Sequence, residues 1–372
     1  MTKKYSIFLS ALFCLFIGGI FLASLLLPKK EFSPLENRYL QKAPALSLES
    51  LDSGKFMEEG EKYVSDHIVG RDFWVAAKAW SERLSGKREN NGVYFAARDT
   101  LINRVEDPDR ASLEKSMGYL DALVSNVSVP VYFGLIPSAA QIWSDRLPAG
   151  APTADEASII RDLYFATGAN TVDLAGALSS HSGEDIYYRT DHHWTSLGAF
   201  YGANALLEAM GMPPLNLDDY TRTTVTDQFY GTIFSSSGVR WVQPDSIHTY
   251  VSSEGVKVTS YFTGEPEEGA LYADSFLEKK DKYSYFLGGN QSLCVIETEH
   301  TDAPSVLVVR DSYSDSLAPW LTQRFSQIHL FDLRYNLTSI RDYVARHNID
   351  SVVVLYSFPN FSRAENLFAL GR

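Results

Sequence analysis

The first apolar run, "YSIFLSALFCLFIGGIFLASLLLP", extends from Tyr5 to Pro28 without a charge. Roughly twenty such residues are enough to span a bilayer as a helix. A polar, proline-containing stretch, "KKEFSPLENRYLQKAPALSLESL", follows as a linker. Residues 51–85 carry apolar positions at helical spacing, interrupted near Gly70. "NGVYFAARDTLINRV" then gives a turn at Asn91–Gly92 flanked by short strand signals.

From about residue 111 the pattern alternates. "SLEKSMGYLDALVSNV" has helical spacing, whereas "VPVYFGLIPS" is a continuous apolar run of strand length. "TADEASIIRDLYFATG" predicts a helix closed by Gly168, "ANTVDLAGAL" starts as a short strand, and "TSLGAFYGANALLEAMG" predicts a helix ending at Gly211. Residues 213–300 break the rhythm with turns and β-branched runs, as in "HTYVSSEGVKVTSYFTG". The alternation then resumes: strand "SVLVVR", helix "SYSDSLAPWLTQRF", strand "QIHLFDL", helix "LTSIRDYVARHN", strand "DSVVVLYS". Buried strands alternating with helices predict a parallel α/β sheet with a β-rich insertion at about 213–300. The expected organisation is a cytoplasmic tip and membrane anchor at 1–30, a linker and helical lead-in at 31–90, and an α/β domain at 91–372.

Charge and cysteine content narrow the class. A chain of 372 residues supports a sizeable core. A formal net charge of -13 argues against a nucleic-acid partner, which would need a basic face. The two cysteines, Cys14 and Cys294, form no Cys-x-x-Cys pair, which excludes a thiolate zinc site. Lys3 and Lys4 precede the apolar run, so the short end should stay in the cytoplasm and the bulk of the chain outside it. A cleaved signal peptide is the rival, but leucines continue to Leu27 and no small-x-small site stands out.

In parallel α/β sheets, sites form in loops at the carboxyl ends of strands. Two loops carry chemistry. In "VLVVRDSYS" a strand ends at Arg310 and turns through Asp311 and Ser312 into a helix. Ser312 could present a nucleophilic hydroxyl near free N–H groups, or Asp311 and Ser312 could simply cap the helix. In "TDHHW", an extended backbone would turn Asp191 and His193 to one side and His192 to the other. Asp191 could then orient His193 as a base for Ser312. A metal site on Asp191, His192 and His193 competes, although the His-Glu-x-x-His spacing is absent. A structural reading makes Asp191 a turn former and Thr195 or Ser196 a helix cap.

"TDHHWT" with "DSYSDSLAPWL" downstream resembles the DHHW family of bacterial proteins. More distantly, it is similar to the periplasmic alginate O-acetylation proteins with SGNH-hydrolase-like domains. "FSPLENRYL", "NGVYF", "FYGTIFSSSG" and "FLGGN" occur in the order expected of that family. The resemblance implies a three-layer SGNH-like α/β fold and a Ser-His-Asp triad: Ser312 as nucleophile, His193 as base, Asp191 as the orienting carboxylate. It implies acyl transfer on an exported polysaccharide or cell-wall glycan, as acetylation or deacetylation, without a cofactor or metal. A multi-spanning membrane acyltransferase would supply acetyl groups from the cytoplasm. The alternative is a non-catalytic glycan-binding or assembly protein on a degenerate SGNH fold.

The chain departs from typical SGNH hydrolases. Asp-x-His precedes the serine, so the motif order is permuted, and Arg310 stands where Gly-Asp-Ser has glycine. Gly289 and Asn290 are expected as oxyanion donors, or else as a plain hairpin turn. Gly231 is expected in a substrate-side loop or a linker. Trp194 is expected to line a sugar site or to be a buried aromatic.

Overall fold

A computed structural model describes residues 3–262 and 264–372. The first two residues of the expected 1–30 anchor segment therefore lie outside the described residues, as does Thr263 in the expected β-rich stretch. The chain forms two compact units. One comprises the chain up to Asn91 together with Phe234–Trp241, the other Gly92–Ile233 and Val242–Arg372.

In the first unit, residues Lys3–Leu26 form one helix that is long and apolar enough to cross a membrane. Helices Lys55–His67 and Arg71–Leu84 follow, separated at Gly70, whose φ of 69° is the left-handed conformation that glycine adopts without strain. The expected interruption thus has a backbone cause.

The second unit is built on an eight-stranded sheet. Its strands in chain order are β1 (Val131–Ile136), β2 (Asn170–Thr171), β3 (Lys257–Tyr261), β4 (Pro266–Glu268), β5 (Leu293–Glu297), β6 (Ser305–Arg310), β7 (Gln327–Phe331) and β8 (Ser351–Ser357). Their spatial order is β4-β3-β5-β7-β6-β8-β1-β2. The five strands from β7 to β2 pair in parallel. β5, β3 and β4 extend the sheet antiparallel beyond β7. The β-rich 213–300 stretch therefore feeds three strands into the sheet, while Thr223–Phe229 and Asp245–Thr249 pair in a separate two-stranded sheet.

The central parallel strands are largely apolar because helices cover both faces, whereas the short edge strand β2 is polar and exposed. Every residue of β6 and β8 is buried. The helices between them are capped as their sequences dictate. Thr195 accepts the Gly198 N–H at the start of Ser196–Ala209, and Ser339 accepts the Asp342 N–H at the start of Ile340–His347. Gly211 (φ 68°) closes the first of these and Asn348 (φ 51°) the second. The helix Glu156–Ala166 instead runs out at Thr167 in extended conformation, so Gly168 is not its left-handed cap.

This topology positions the site. β7 lies on one flank of β6 and β8 on the other, so the chain order switches around β6. The loop after β6, with Asp311 and Ser312, is thus held between the loops that leave β7 and β8.

Candidate active site

The turn after β6 is fastened by Asp311. Its Oδ1 accepts the Tyr313 N–H at 3.1 Å, which closes a local turn. Its Oδ2 accepts from the Ser357 N–H (2.9 Å) and hydroxyl (2.7 Å) at the end of β8 and from the Asn360 amide (2.7 Å) just beyond it. Asp311 is therefore a staple between two strand ends, with both carboxylate oxygens engaged. That leaves Ser312, the next residue, partly exposed at the tip of the turn. The helix proper begins two residues later, at Ser314.

Beneath this turn lies Arg310, with none of its side chain exposed and its Nη1 2.7 Å from Asp315 Oδ1. The bulky residue at the place of glycine thus points into the core, paired with Asp315, whose carboxyl burial pushes up to about 7. Breaking one partner of such a buried pair costs about 3–5 kcal/mol, because the other charge is left uncompensated.

The histidine loop reaches Ser312 from 119 residues earlier in the chain. His193 Nε2 lies 2.8 Å from Ser312 Oγ, and His193 Nδ1 lies 2.6 Å from Asp191 Oδ1. Asp191 Oδ1 also accepts the His193 backbone N–H at 3.0 Å. The pairing of Asp191 with His193 therefore arises from a tight side-chain-to-backbone turn, not from the extended strand that the sequence suggested. The two are almost fully buried, with side-chain exposures of 1% and 6%.

The second oxygen of Asp191 is satisfied by a residue that sequence reasoning missed. Thr232 donates to Oδ2 through its N–H (2.7 Å) and its hydroxyl (3.0 Å). Burial opposes ionisation of Asp191. The two neighbouring imidazoles, the His193 hydrogen bond and the Thr232 N–H outweigh it and hold the carboxyl far below the ordinary carboxylate range.

Gly231 is what lets Thr232 come so close. A Cβ on Gly231 would fall 2.2 Å from Asp191 Cβ and 2.3 Å from its Oδ2. Gly231 is thus a packing position behind Asp191. Gly231→Ala should destabilise the protein by about 1–3 kcal/mol, as overpacking does. A urea titration checks this, and an unchanged midpoint would contradict it.

Trp194 differs from one of its two expected roles. It is fully buried, donates its indole N–H to the Tyr313 carbonyl at 2.9 Å and packs on Gly202. It braces the Ser312 turn from inside and has no surface to offer a sugar. His192, expected to face away, instead stays beside the site. Its ring centroid lies 3.9 Å from that of His193, and its Nδ1 lies 2.7 Å from Thr232 Oγ1. Burial first, and then the adjacent His193, depress its pKa.

Tyr283 is the other residue that the sequence did not disclose. Its ring stacks flat on His193, with centroids 3.7 Å apart and planes 6° apart. Its hydroxyl donates to the Ser312 carbonyl at 3.0 Å and pairs with Ser316 Oγ at 3.1 Å. One side chain thereby holds both the imidazole plane and the serine backbone. Only its tertiary placement reveals this, since "KYSY" carries no motif.

Gly289 and Asn290 lie in a left-handed turn, with φ of 62° at Leu287, 78° at Gly288 and 105° at Gly289. Asn290 Oδ1 accepts from Arg334 at 3.3 Å. Among the described residues no hydrogen bond joins either of them to Ser312 or His193. A cleft of about 320 Å³ opens beside the Ser312 turn, lined by His192, Tyr313, Asn360, Arg363 and Arg104 among others.

Asp191, His192 and His193 are close enough together to be considered as metal ligands. Their hydrogen bonding favours a different use. Asp191 Oδ1 already receives the His193 Nδ1 proton, and His192 Nδ1 already faces Thr232. A metal held through the two Nδ1 atoms would have to displace both bonds.

Comparisons with known proteins place the chain among proteins of similar fold. A DHHW family protein from Eubacterium siraeum is similar in structure at 25% sequence identity, covering 76% of this chain and 95% of its own, with a TM-score of 0.66. PatB1 from Bacillus cereus, solved with a sulfonyl adduct, is similar at 21% identity over 74% of this chain and 97% of its own, with a TM-score of 0.62. The O-acetyltransferase domain of Pseudomonas putida AlgJ overlays more loosely, at 15% identity over 73% of this chain and 93% of its own, with a TM-score of 0.45. Among curated proteins nothing matches. The model of the family described as DHHW protein matches residues 130–331, more than half of the chain and the stretch that holds Asp191 and His193 together with Ser312, and the protein belongs to that family.

Proposed function

We propose that the protein is a serine-dependent O-acyltransferase or esterase that acts outside the cytoplasm on acyl groups of a cell-surface or exported glycan. The reading rests on one observation: the continuous chain from Asp191 through His193 to Ser312 Oγ, at 2.6 and 2.8 Å. These are the distances at which a base can take the serine proton.

The chemistry follows from the atoms. His193 Nε2 removes the Ser312 Oγ proton as Oγ attacks the acyl carbonyl carbon. The developing oxyanion needs donors, and the Ser312 N–H at the strand-to-helix turn is one. Collapse breaks the acyl–oxygen bond, and the His193 proton goes to the departing oxygen. The acyl group is left on Ser312. A sugar hydroxyl then takes it in transfer, or water takes it in hydrolysis, by the same steps reversed. Asp191 keeps the Nδ1 proton in place and balances the imidazolium. PatB1 has been solved with a sulfonyl adduct, and sulfonyl reagents are captured by activated nucleophiles. The helix Lys3–Leu26 would anchor the chain, and a multi-spanning membrane partner would deliver the acetyl group.

The purified full-length protein should hydrolyse a chromogenic acetyl ester equally well with and without a metal chelator. Loss of turnover on chelation would instead favour a metal on Asp191, His192 and His193. No turnover, with retained glycan binding, would favour the non-catalytic alternative.

Tyr283→Leu should lower kcat on that ester up to about tenfold, since an aromatic stack is worth about 0.5–1.5 kcal/mol. Tyr283→Phe, which keeps the ring, should lose less. Equal losses in the two variants would assign the effect to the hydroxyl alone.

A further inference from the structure

Helix Arg71–Leu84 carries large apolar side chains into solvent. Phe73 is 66% exposed, Trp74 39%, Trp80 43% and Leu84 82%. Exposed aromatics clustered on one element mark a contact surface, and the first unit shows what covers this one.

The apolar helix Lys3–Leu26 is bracketed by Lys3 and Lys4 at one end and by Lys29 and Lys30 just past the other. Its 24 residues rise about 36 Å, against a hydrocarbon layer of about 30 Å. Ser24 and Leu27 therefore lie at the outer edge of that layer when the helix spans. The junction between helices Lys55–His67 and Arg71–Leu84 is fastened to this edge. The Val69 N–H donates to Ser24 Oγ at 3.0 Å, and His67 Nε2 meets the Lys30 carbonyl at 3.2 Å. A cavity of about 240 Å³ there is lined by Ser24, Leu27, Val69 and Phe73. Trp74 donates its indole N–H to the Val69 carbonyl at 3.0 Å, and the Phe73 ring sits edge-on to it with centroids 5.1 Å apart.

We infer that the Phe73–Trp74 corner lies in the interfacial layer of the bilayer, as a second lipid contact beside the spanning helix. Trp, an aromatic ring with a polar handle, is enriched at that depth, and the apolar Phe73 ring packed on Trp74 reaches the acyl side of the same layer. Lys29 and Lys30 can meet headgroups at this edge, whereas the Phe73–Trp74 contact itself is apolar and should form on neutral lipid. The inference rests on the reading of Lys3–Leu26 as an uncleaved anchor.

The test uses the full chain in phosphatidylcholine vesicles, in a Cys14→Ser background with Cys294 buried and unreactive. An environment-sensitive fluorophore is placed by Phe73→Cys in one sample and by Leu15→Cys in another. The expected result is loss of the Phe73→Cys signal to lipids carrying a nitroxide near the headgroup, with protection from aqueous iodide. The Leu15→Cys signal should be lost to nitroxides deep in the acyl chains. A Phe73→Cys label quenched by iodide and not by lipid overturns the interfacial contact while a deep Leu15→Cys label preserves the anchor. A water-exposed Leu15→Cys label overturns both.

Discussion

Ser312→Ala should abolish acyl transfer, with kcat falling by at least ~10⁴-fold and the fold left intact. The size of the effect follows from what Ser312 does and does not touch. Its hydroxyl faces His193 Nε2 at 2.8 Å and is partly exposed, so deleting it removes one hydrogen bond and no core contact. The turn keeps its shape, because Asp311 holds it through Tyr313, Ser357 and Asn360. Ester turnover and a thermal melt, measured side by side, check this. A variant that melts normally yet turns over at the parent rate would remove Ser312 from the chemistry. A serine-directed phosphonate should label the parent protein and leave the variant unlabelled.

Asp191→Asn should cost about 10⁴-fold in kcat and stability as well. Asp191 accepts from four donors: the His193 ring and N–H, and the Thr232 N–H and hydroxyl. An amide in its place must point its NH₂ at one of these donor sets. If it faces His193, the imidazole flips to the tautomer that protonates Nε2 and can no longer accept from Ser312. If it faces Thr232, a buried N–H loses its acceptor, at about 1–3 kcal/mol.

The pH dependence gives an independent readout. The folded-state pKa of Asp191 is depressed below its unfolded value of about 3.9. Its stabilisation is therefore complete above roughly pH 4 and is lost as pH falls below that. Asp191→Asn should lower the urea midpoint at neutral pH and show a shallower decline on acidification. Parallel pH profiles for the parent and the variant would contradict the role given to this carboxylate.

Much of the architecture was legible because it depends on local periodicity. Short, β-branched runs such as "SVLVVR" and "SVVVLY" read as strands buried on both faces, and the helices between them carry their own caps. The clustering of chemistry at strand ends follows from the class of sheet. Tertiary packing then changed the detail. Trp194 became a buried brace, Gly231 a packing position behind Asp191, and His192 a neighbour of His193. The two residues that complete the arrangement, Thr232 and Tyr283, come from a stretch that looked like an insertion.

By itself, the sequence determined the apolar N-terminal helix and the alternating α/β order, and it put Asp191 and His193 within reach of each other. Each depends on residues a few positions apart. Tertiary structure alone decided that Ser312 meets His193 across 119 residues, that Thr232 completes the Asp191 shell and that Tyr283 lies flat on the imidazole. Those contacts depend on how the sheet order places separate loops at one strand end. Sequence spacing does not encode a distance once the chain has crossed the sheet and returned.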